Sequence, residues 1–499
     1  MNHNNDHQLK QISKIKNKVF SGLIWTFFER IASQSFTLLL SLVLARLLSP
    51  NDFGLIAIVM VFISLADVFI TSGFGNSLIQ KKDADNLDFS SVFYFSIVLS
   101  CVLYIILFIT APYISAYFEM QDLDMVMRVL GLYLPIIGFN IVQQAFVSKN
   151  MMFKKFFVST LIGTLISAFI GIIYALYGGG VWALVAQRLS SAMINTIVLW
   201  RIIKWRPSLE YSFVRMKGII SYGWKLLASS LIASLSENLT NLVIGKKFSS
   251  QDLAFYTQGS TYPRQIGTNI NNTISKVLFP VLSEYQDDLL KMKLMMRRSI
   301  KTGTYILTPM LIGLAVTAEP LVKLLLTERW IEVVPFIQIF SVYYIFIPIH
   351  TINLQAIKAI GRSDLFLKLE IIKRIIGLII LFITVVFFDS VIIIALGMII
   401  QTLISCFINS YPNKGLLNYG YYEQLCDIAP NVTISIFMGI FIFSMSLFKL
   451  NSIILLILQV IFGVIVYIFI SYLFKLDSFK YIRNSILGQI KIRREKKIL

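Results

Sequence analysis

The sequence predicts an all-α integral membrane protein, a polytopic bundle of about fourteen transmembrane helices. Three observations carry that expectation. Of 499 residues, 57% are hydrophobic and only 14% charged, and the mean hydropathy of +0.75 exceeds what a soluble core of this length requires. The apolar residues come in runs of about twenty, the length that crosses a bilayer as helix. Lys and Arg gather in alternate links between those runs, as cytoplasmic loops should.

In chain order the predicted spans are 19–48, 53–79, 89–118, 125–147, 157–177, 181–203, 219–244, 253–282, 302–326, 336–360, 365–388, 391–408, 428–448 and 453–474. The first run is too long for a signal peptide and continues to Arg46 without a small-residue cleavage site, so it is expected to remain as the first span. Basic links lie at Lys10 to Lys18, Lys81 and Lys82, Lys149 to Lys155, Arg201 to Lys217, Lys291 to Lys301, Lys358 to Arg362, Lys414 and Lys475 to Lys497. The intervening links, around Pro50, Glu119 to Asp124, Gly178 to Gly180, Glu328 to Glu332, Asp389 and Asn451, are mostly neutral or acidic. Both termini are therefore expected in the cytoplasm, with Lys246 and Lys247 as the exception to the pattern.

The net charge of +19 is spread over many loops, which favours topology and attraction to anionic lipids over nucleic-acid binding. Cys101, Cys406 and Cys426 show no metal-ligand or disulfide spacing, and no phosphate-binding loop, nucleophile elbow or paired catalytic carboxylates are present. Neither a metal nor a cofactor is called for. His350, within the tenth span, reads first as a packed residue.

A repeat appears at an offset of two hundred residues. ARLLSPNDFGL from Ala45 matches GKKFSSQDLAF from Gly245, pairing Arg46 with Lys246, Ser49 with Ser249 and Asp52 with Asp252. In each copy the Ser-x-x-Asp turn places Asp at the expected helix N-cap, where its carboxylate accepts backbone N–H bonds and favours the positive helix end. The offset spans six helices and keeps orientation, so the expected organisation is a basic amphipathic segment at 1–18, a first lobe of six spans at 19–203, a linker at 204–218, a second lobe at 219–411, two added spans at 412–474 and a basic tail at 475–499.

Polar residues recur at helical spacing within several spans. Span eight carries Thr257, Thr261, Arg264, Thr268, Asn271 or Asn272, and Ser275 on one face. Arg264 falls about 20 Å from the outer end at 1.5 Å per residue, too deep to reach the surface. Span one has a similar stripe through Thr26, Arg30, Gln34 and Ser41, with Glu29 beside it. Lys225 and Glu237 in span seven, Asp67 in span two, Arg188 in span six and Lys276 in span eight complete the set. The excess of cations favours an anionic passenger, and arginine's planar fork suits phosphate oxygens. Arg30, Arg264, Lys225, Arg188, Lys276, Gln34 and Asn272 are the substrate-binding candidates; Asp67 and Glu237 are the coupling-ion candidates. Tyr256 and Tyr262 are the aromatic residues placed to meet a glycan, whereas Trp25, Trp182, Trp200, Trp205 and Trp330 fit interfacial belts.

LARLLSPNDFGL, SGFGNSLIQKK, MFKKF, GGGVWALVAQ, WRP at Trp205, LFPVLSEYQ and AIGRSDL together resemble the Wzx-type polysaccharide flippases of the multidrug/oligosaccharidyl-lipid/polysaccharide (MOP) exporter superfamily. The likeness runs from about Val19 to Leu367. It implies a two-lobed bundle, similar to the multidrug (MATE) exporters, that moves undecaprenyl-pyrophosphate-linked oligosaccharides across a bacterial cytoplasmic membrane by alternating access. It implies no enzymatic step, with membrane lipids and other polysaccharide-assembly proteins as expected partners. Arg30 and Arg264 correspond best to the family's cavity arginines; Arg188, Lys225 and Lys276 rest on charge and depth alone. A cation-coupled drug antiporter is the alternative, disfavoured by the cationic excess, followed by a membrane glycan polymerase or ligase, disfavoured by the short outer links.

Overall fold

The computed structural model describes residues 34–71, 75–81, 83–448, 451–484 and 487, and every element among them is helical. In chain order these are α1 (Gln34–Leu47), α2 (Pro50–Ile70), α3 (Asn76–Gln80), α4 (Asn86–Phe118), α5 (Leu123–Leu130), α6 (Tyr133–Lys149), α7 (Phe153–Leu176), α8 (Val181–Ile202), α9 (Phe213–Lys247), α10 (Ser250–Glu284), α11 (Leu289–Val316), α12 (Ala318–Leu325), α13 (Val334–Ile345), α14 (Ile347–Ala359), α15 (Ser363–Phe387), α16 (Val391–Leu417), α17 (Tyr421–Met445) and α18 (Ser452–Leu473).

Within the described residues each predicted span falls on one of these helices or on a pair of them; residues 19–33 of the first lie outside the described residues. Ten stretches among the described residues are long and apolar enough to cross a membrane, eleven if Phe213–Ser221 and Leu226–Lys247, bent by 53°, count as one. The helices that fall short do so for identifiable reasons. The described part of α1 begins at Gln34, α10 carries the polar stripe, and α15 opens with Lys368, Glu370, Lys373 and Arg374. Four predicted spans cover two helices each. The second covers α2 and α3, the fourth α5 and α6, broken at Gly131, the ninth α11 and α12, broken at Thr317, and the tenth α13 and α14, broken at Phe346. Pro348 lies in the first turn of α14, where its missing N–H costs no helical bond.

The chain divides into two compact units, Met1–Ala254 and Phe255–Leu499. In the first, the repeated turns do cap helices, but Ser49 and not Asp52 is the N-cap residue of α2. Asp52 sits three positions on and reaches back to it, since the shorter serine side chain closes on the first-turn N–H while the carboxylate accepts from the cap's own backbone. Ser49 N–H donates to Asp52 Oδ2 at 2.9 Å and Asp52 N–H donates to Ser49 Oγ at 3.4 Å. The second copy matches it, at 3.1 Å from Ser249 N–H to Asp252 Oδ2 and 3.1 Å from Asp252 N–H to Ser249 Oγ. The two turns also touch: Ser250 Oγ donates to Asn51 Oδ1, and a Cβ on Gly54 would collide with the Ser250 carbonyl. Lys246, the exception among the outer links, donates to Glu119 Oε1 at 2.8 Å and to the Tyr117 carbonyl at 2.6 Å. An acidic partner at that end explains why a cation is tolerated there.

Small residues set the packing of α7 on α8. Ser159, Gly163, Ser167, Gly171 and Ala175 repeat every fourth position and are all buried, and a Cβ on Gly171 would come within 2.8 Å of Gln187 Cβ. Without a hydrophobic drive between helices in lipid, such close approach supplies the attraction through dispersion. The segment after α8 is tied to the same unit: Trp205 Nε1–H donates to Asn86 Oδ1 at 2.8 Å, while Ser208 and Ser212 N–H groups donate to Ser90 and Ser91 hydroxyls at 2.9 and 3.0 Å. Asp88, fully buried, holds Lys81 at 2.7 Å and Arg215 at 3.4 Å.

The second unit buries a cluster that includes Leu282, Met292, Met296, Ile300, Ile349, Ile352, Ala356 and Tyr419. A polar network crosses it, in which Asn353 Nδ2–H donates to Gln424 Oε1 at 2.7 Å and Asn413 Nδ2–H donates to Asn353 Oδ1 at 2.7 Å. Trp330 is fully buried against Phe255, so it is a core residue and not part of an interfacial belt.

Candidate functional site

In the second unit, α10 is oriented by its glycines. Cβ atoms on Gly259 and Gly267 would strike Phe336 and Tyr344, so that face lies against α13. At 3.6 residues per turn, Thr257, Thr261, Arg264, Thr268, Asn272 and Ser275 fall on roughly the opposite face. Arg264, Asn272 and Lys276 are all exposed there. Tyr256 and Tyr262, expected to meet a glycan, are buried instead, Tyr256 edge-on to Phe340 with centroids 5.1 Å apart. Their position one or two residues off the polar stripe turns them into the protein. The choice between Asn271 and Asn272 is also decided: Asn271 Oδ1 accepts from Thr351 of α14, leaving Asn272 on the exposed face.

The hydroxyls of the stripe satisfy themselves. Thr261, Thr268 and Ser275 donate to carbonyls four residues earlier, at 2.8, 2.7 and 2.9 Å. Such back-bonding lets a Ser or Thr sit in an apolar layer without an outside partner. The cations have no equivalent. Among the described residues Arg264 and Lys276 form no ion pair, and no internal group neutralises them. A guanidinium at mid-span requires water or an anion. This face of α10 supplies two cations and an amide for one.

In the first unit the charges are arranged differently. Asp67 of α2 is half-buried, with Oδ1 fully enclosed and without a hydrogen-bond partner among the described residues. Tyr133, at the start of α6, lies within electrostatic range of both Asp67 and Arg188 of α8. Arg188 is exposed. Charge within a predicted span singled out Asp67 and Arg188 but not Tyr133, whose place near both depends on how α2, α6 and α8 pack. Glu237 is exposed on α9, and its neighbour Asn238 donates to Ser64 Oγ at 3.3 Å, joining α9 to α2. The two coupling-ion candidates thus differ, one enclosed and one open. Gln34 is exposed on α1. Arg30 and Glu29, like the side chain of Lys225, lie outside the described residues.

Other singled-out groups are absorbed by packing. His350 is bound at 2.8 Å by Thr402 Oγ1, with Asn409 3.1 Å from its other nitrogen and Cys406 Sγ 3.4 Å away. Glu370 accepts from Lys373 at 2.5 Å, one position short of the Arg374 pairing that helical spacing also allows. The basic end of α11 is held by an acidic hub that the sequence did not single out. Asp427 Oδ2 lies 2.7 Å from Arg297 Nε, Oδ1 3.3 Å from Lys301, and the Tyr419 hydroxyl donates to it at 2.9 Å. Glu423 takes Lys293 at 3.0 Å.

A polysaccharide biosynthesis protein family model matches residues 43–335. The lipopolysaccharide biosynthesis protein WzxC of Escherichia coli (strain K12) is 24% identical over 72% of this chain and 73% of its own. The teichuronic acid biosynthesis protein TuaB of Bacillus subtilis (strain 168) is 22% identical over 70% of this chain and 73% of its own. Among solved structures, the lipid II flippase MurJ in an inward closed conformation superposes with a TM-score of 0.74 at 15% identity, covering 91% of this chain and 98% of that one.

Proposed function

Because the chain belongs to the polysaccharide biosynthesis protein family, we propose that it carries an undecaprenyl-pyrophosphate-linked oligosaccharide across the cytoplasmic membrane by alternating access. It is a multi-pass membrane transporter and not an enzyme. The observation that carries the substrate class is the face of α10, where Arg264 and Lys276 stand exposed and unneutralised beside Asn272. Pyrophosphate supplies the missing counter-charge, and arginine's paired N–H groups meet two of its oxygens at once. The amide of Asn272 donates to a phosphate or sugar oxygen without adding charge. Arg188 in the first unit, with Arg30 and Lys225, extends the same preference for an anion. The isoprenoid chain stays in lipid, where each buried methylene adds about 0.8 kcal/mol.

Asp67 suits a coupling-ion role better than Glu237. Its enclosed, unpartnered oxygen can take up a proton or a small cation, whereas Glu237 is solvated. The two six-span lobes, 19–203 and 219–411, are the bodies that alternate in this scheme, with both termini in the cytoplasm and the added spans 412–474 beside them. Proteins that assemble the glycan on one side and polymerise it on the other are the natural partners. The relatives are named for lipopolysaccharide biosynthesis in one case and teichuronic acid biosynthesis in another; a cationic face that reads a lipid-pyrophosphate handle in place of the sugar is compatible with that difference.

The test is mass spectrometry of undecaprenyl-pyrophosphate oligosaccharides in cells depleted of the protein and complemented with wild type or Arg264→Ala. Accumulation on depletion, cleared by wild type and not by the variant, supports both flipping and the phosphate-holding role. No accumulation sinks the flippase reading in favour of a drug antiporter, and clearance by both forms removes Arg264 from the site.

A further inference from the structure

A second basic feature of the second unit lies away from α10, where the chain leaves the apolar layer at the end of α18. The helical segment 477–484 packs beside the first turns of α11. Between them is an open cavity of about 230 Å³ lined by Arg297, Arg298, Lys301, Ser478 and Tyr481, and by the carboxylate of Asp477, which faces Lys301. This is smaller than the roughly 300–1,000 Å³ of a drug-sized site, and it suits a headgroup in place of an oligosaccharide.

The cations lining it are not equivalent. Arg297 and Lys301 are committed to Asp427, and Lys301 also to Asp477 at 3.4 Å. Arg298 has no carboxylate partner among the described residues; its guanidinium carbon lies 3.4 Å from the centroid of the Tyr481 ring. Stacking fixes the plane of the guanidinium while leaving its N–H edge free, the posture that accepts a phosphate in two hydrogen bonds. The cavity has an apolar border: Leu294 lines it and is exposed, as is Leu290 one turn earlier on α11. Leu473 ends an apolar 22-residue helix, which places Ser478 and Tyr481 at headgroup level if α18 crosses the bilayer.

We propose that this cavity holds the phosphate of an anionic phospholipid, with Arg298 as the principal ligand on its Tyr481 platform and the acyl chains against the apolar strip. The site is separate from α10 and does not depend on what the protein transports. A free phosphate ion offers the same chemistry to Arg298, but it makes no use of the adjoining apolar surface.

Native mass spectrometry of the full chain in detergent, titrated in turn with dioleoylphosphatidylglycerol, dioleoylphosphatidylcholine and inorganic phosphate, tests this. Wild type should retain phosphatidylglycerol in preference to both other probes, and Arg298→Gln should weaken that retention about tenfold, the scale of one lost charge-assisted contact. Tyr481→Leu, which keeps every charge, should weaken it several-fold and guards against misfolding of the arginine variant. Arg362→Gln removes one positive charge from a different, exposed link and should change nothing. Equal retention by Arg298→Gln and wild type overturns the site. So does an equal loss in Arg362→Gln, which would mean attraction by net charge alone, and inorganic phosphate binding as tightly as the lipid overturns the lipid assignment.

Discussion

Successive helices of the second unit, α10 and α11, both carry basic residues, and the protein treats them in opposite ways. On α11, Arg297 and Lys301 close on the almost fully buried carboxylate of Asp427, with Tyr419 completing the hub. On α10, Arg264 and Lys276 are exposed, and no acid among the described residues pairs with them. Residue type alone would class the two sets together. What separates them is whether a neighbouring helix brings an acid to the same depth, and α17 does so for α11. A paired charge holds helices together; an unpaired one is available to a ligand. That is why the functional reading rests on α10.

The contrast breaks most visibly at Asp427. Asp427→Ala should destabilise the protein by roughly 2–3 kcal/mol, below the 3–5 typical of a fully buried pair because Arg297 keeps access to water. Thermal melting in detergent would read this, and an unchanged melting temperature would mean the hub is not structural. Arg264→Gln should do the reverse, lowering export of the lipid-linked glycan about tenfold or more while moving stability by less than about 0.5 kcal/mol. Loss of both together would place Arg264 among the structural charges.

In the first unit, Asp67→Asn removes a carboxylate whose enclosed oxygen lacks a partner, and should leave stability unchanged or raise it by about 1 kcal/mol. A marked fall in melting temperature would show that Asp67 is paired in the folded state and is no coupling site. The smallest effect belongs to Glu119, an exposed carboxylate held below its ordinary range by its hydrogen bond to Lys246. Its folded value is the lower one, so the stability it contributes is present above the usual carboxylate range and is lost as pH falls through the lowered value. Glu119→Gln should therefore match wild type in acid and trail it slightly at neutral pH in melting curves; a gap that widens in acid would contradict the pairing.

Hydropathy and spacing were enough to foresee the helical spans, because crossing lipid demands about twenty apolar residues whatever the neighbours are. The turns at Ser49 and Ser249 were legible for a similar reason: a cap is made by residues three apart, within one segment. Periodicity also picked out the cationic stripe of α10, since a polar face at helical spacing needs no partner to be seen. Apolar residues continue across the breaks at Gly131 and Phe346, so hydropathy did not mark them; the nearby Pro135 and Pro348 were the available signal of an interrupted helix.

The sequence by itself determined the membrane class, the capped repeat and the identity of the charges within the spans, all properties of single segments. Only the tertiary structure decided which charges are paired. It buried Tyr256 and Tyr262, the first against Phe340 of α13, put Tyr133 in range of both Asp67 and Arg188, and brought Asp427 to Arg297 across 130 residues of chain. Pairing in a low-dielectric layer depends on distance in space, to which separation along the chain is no guide.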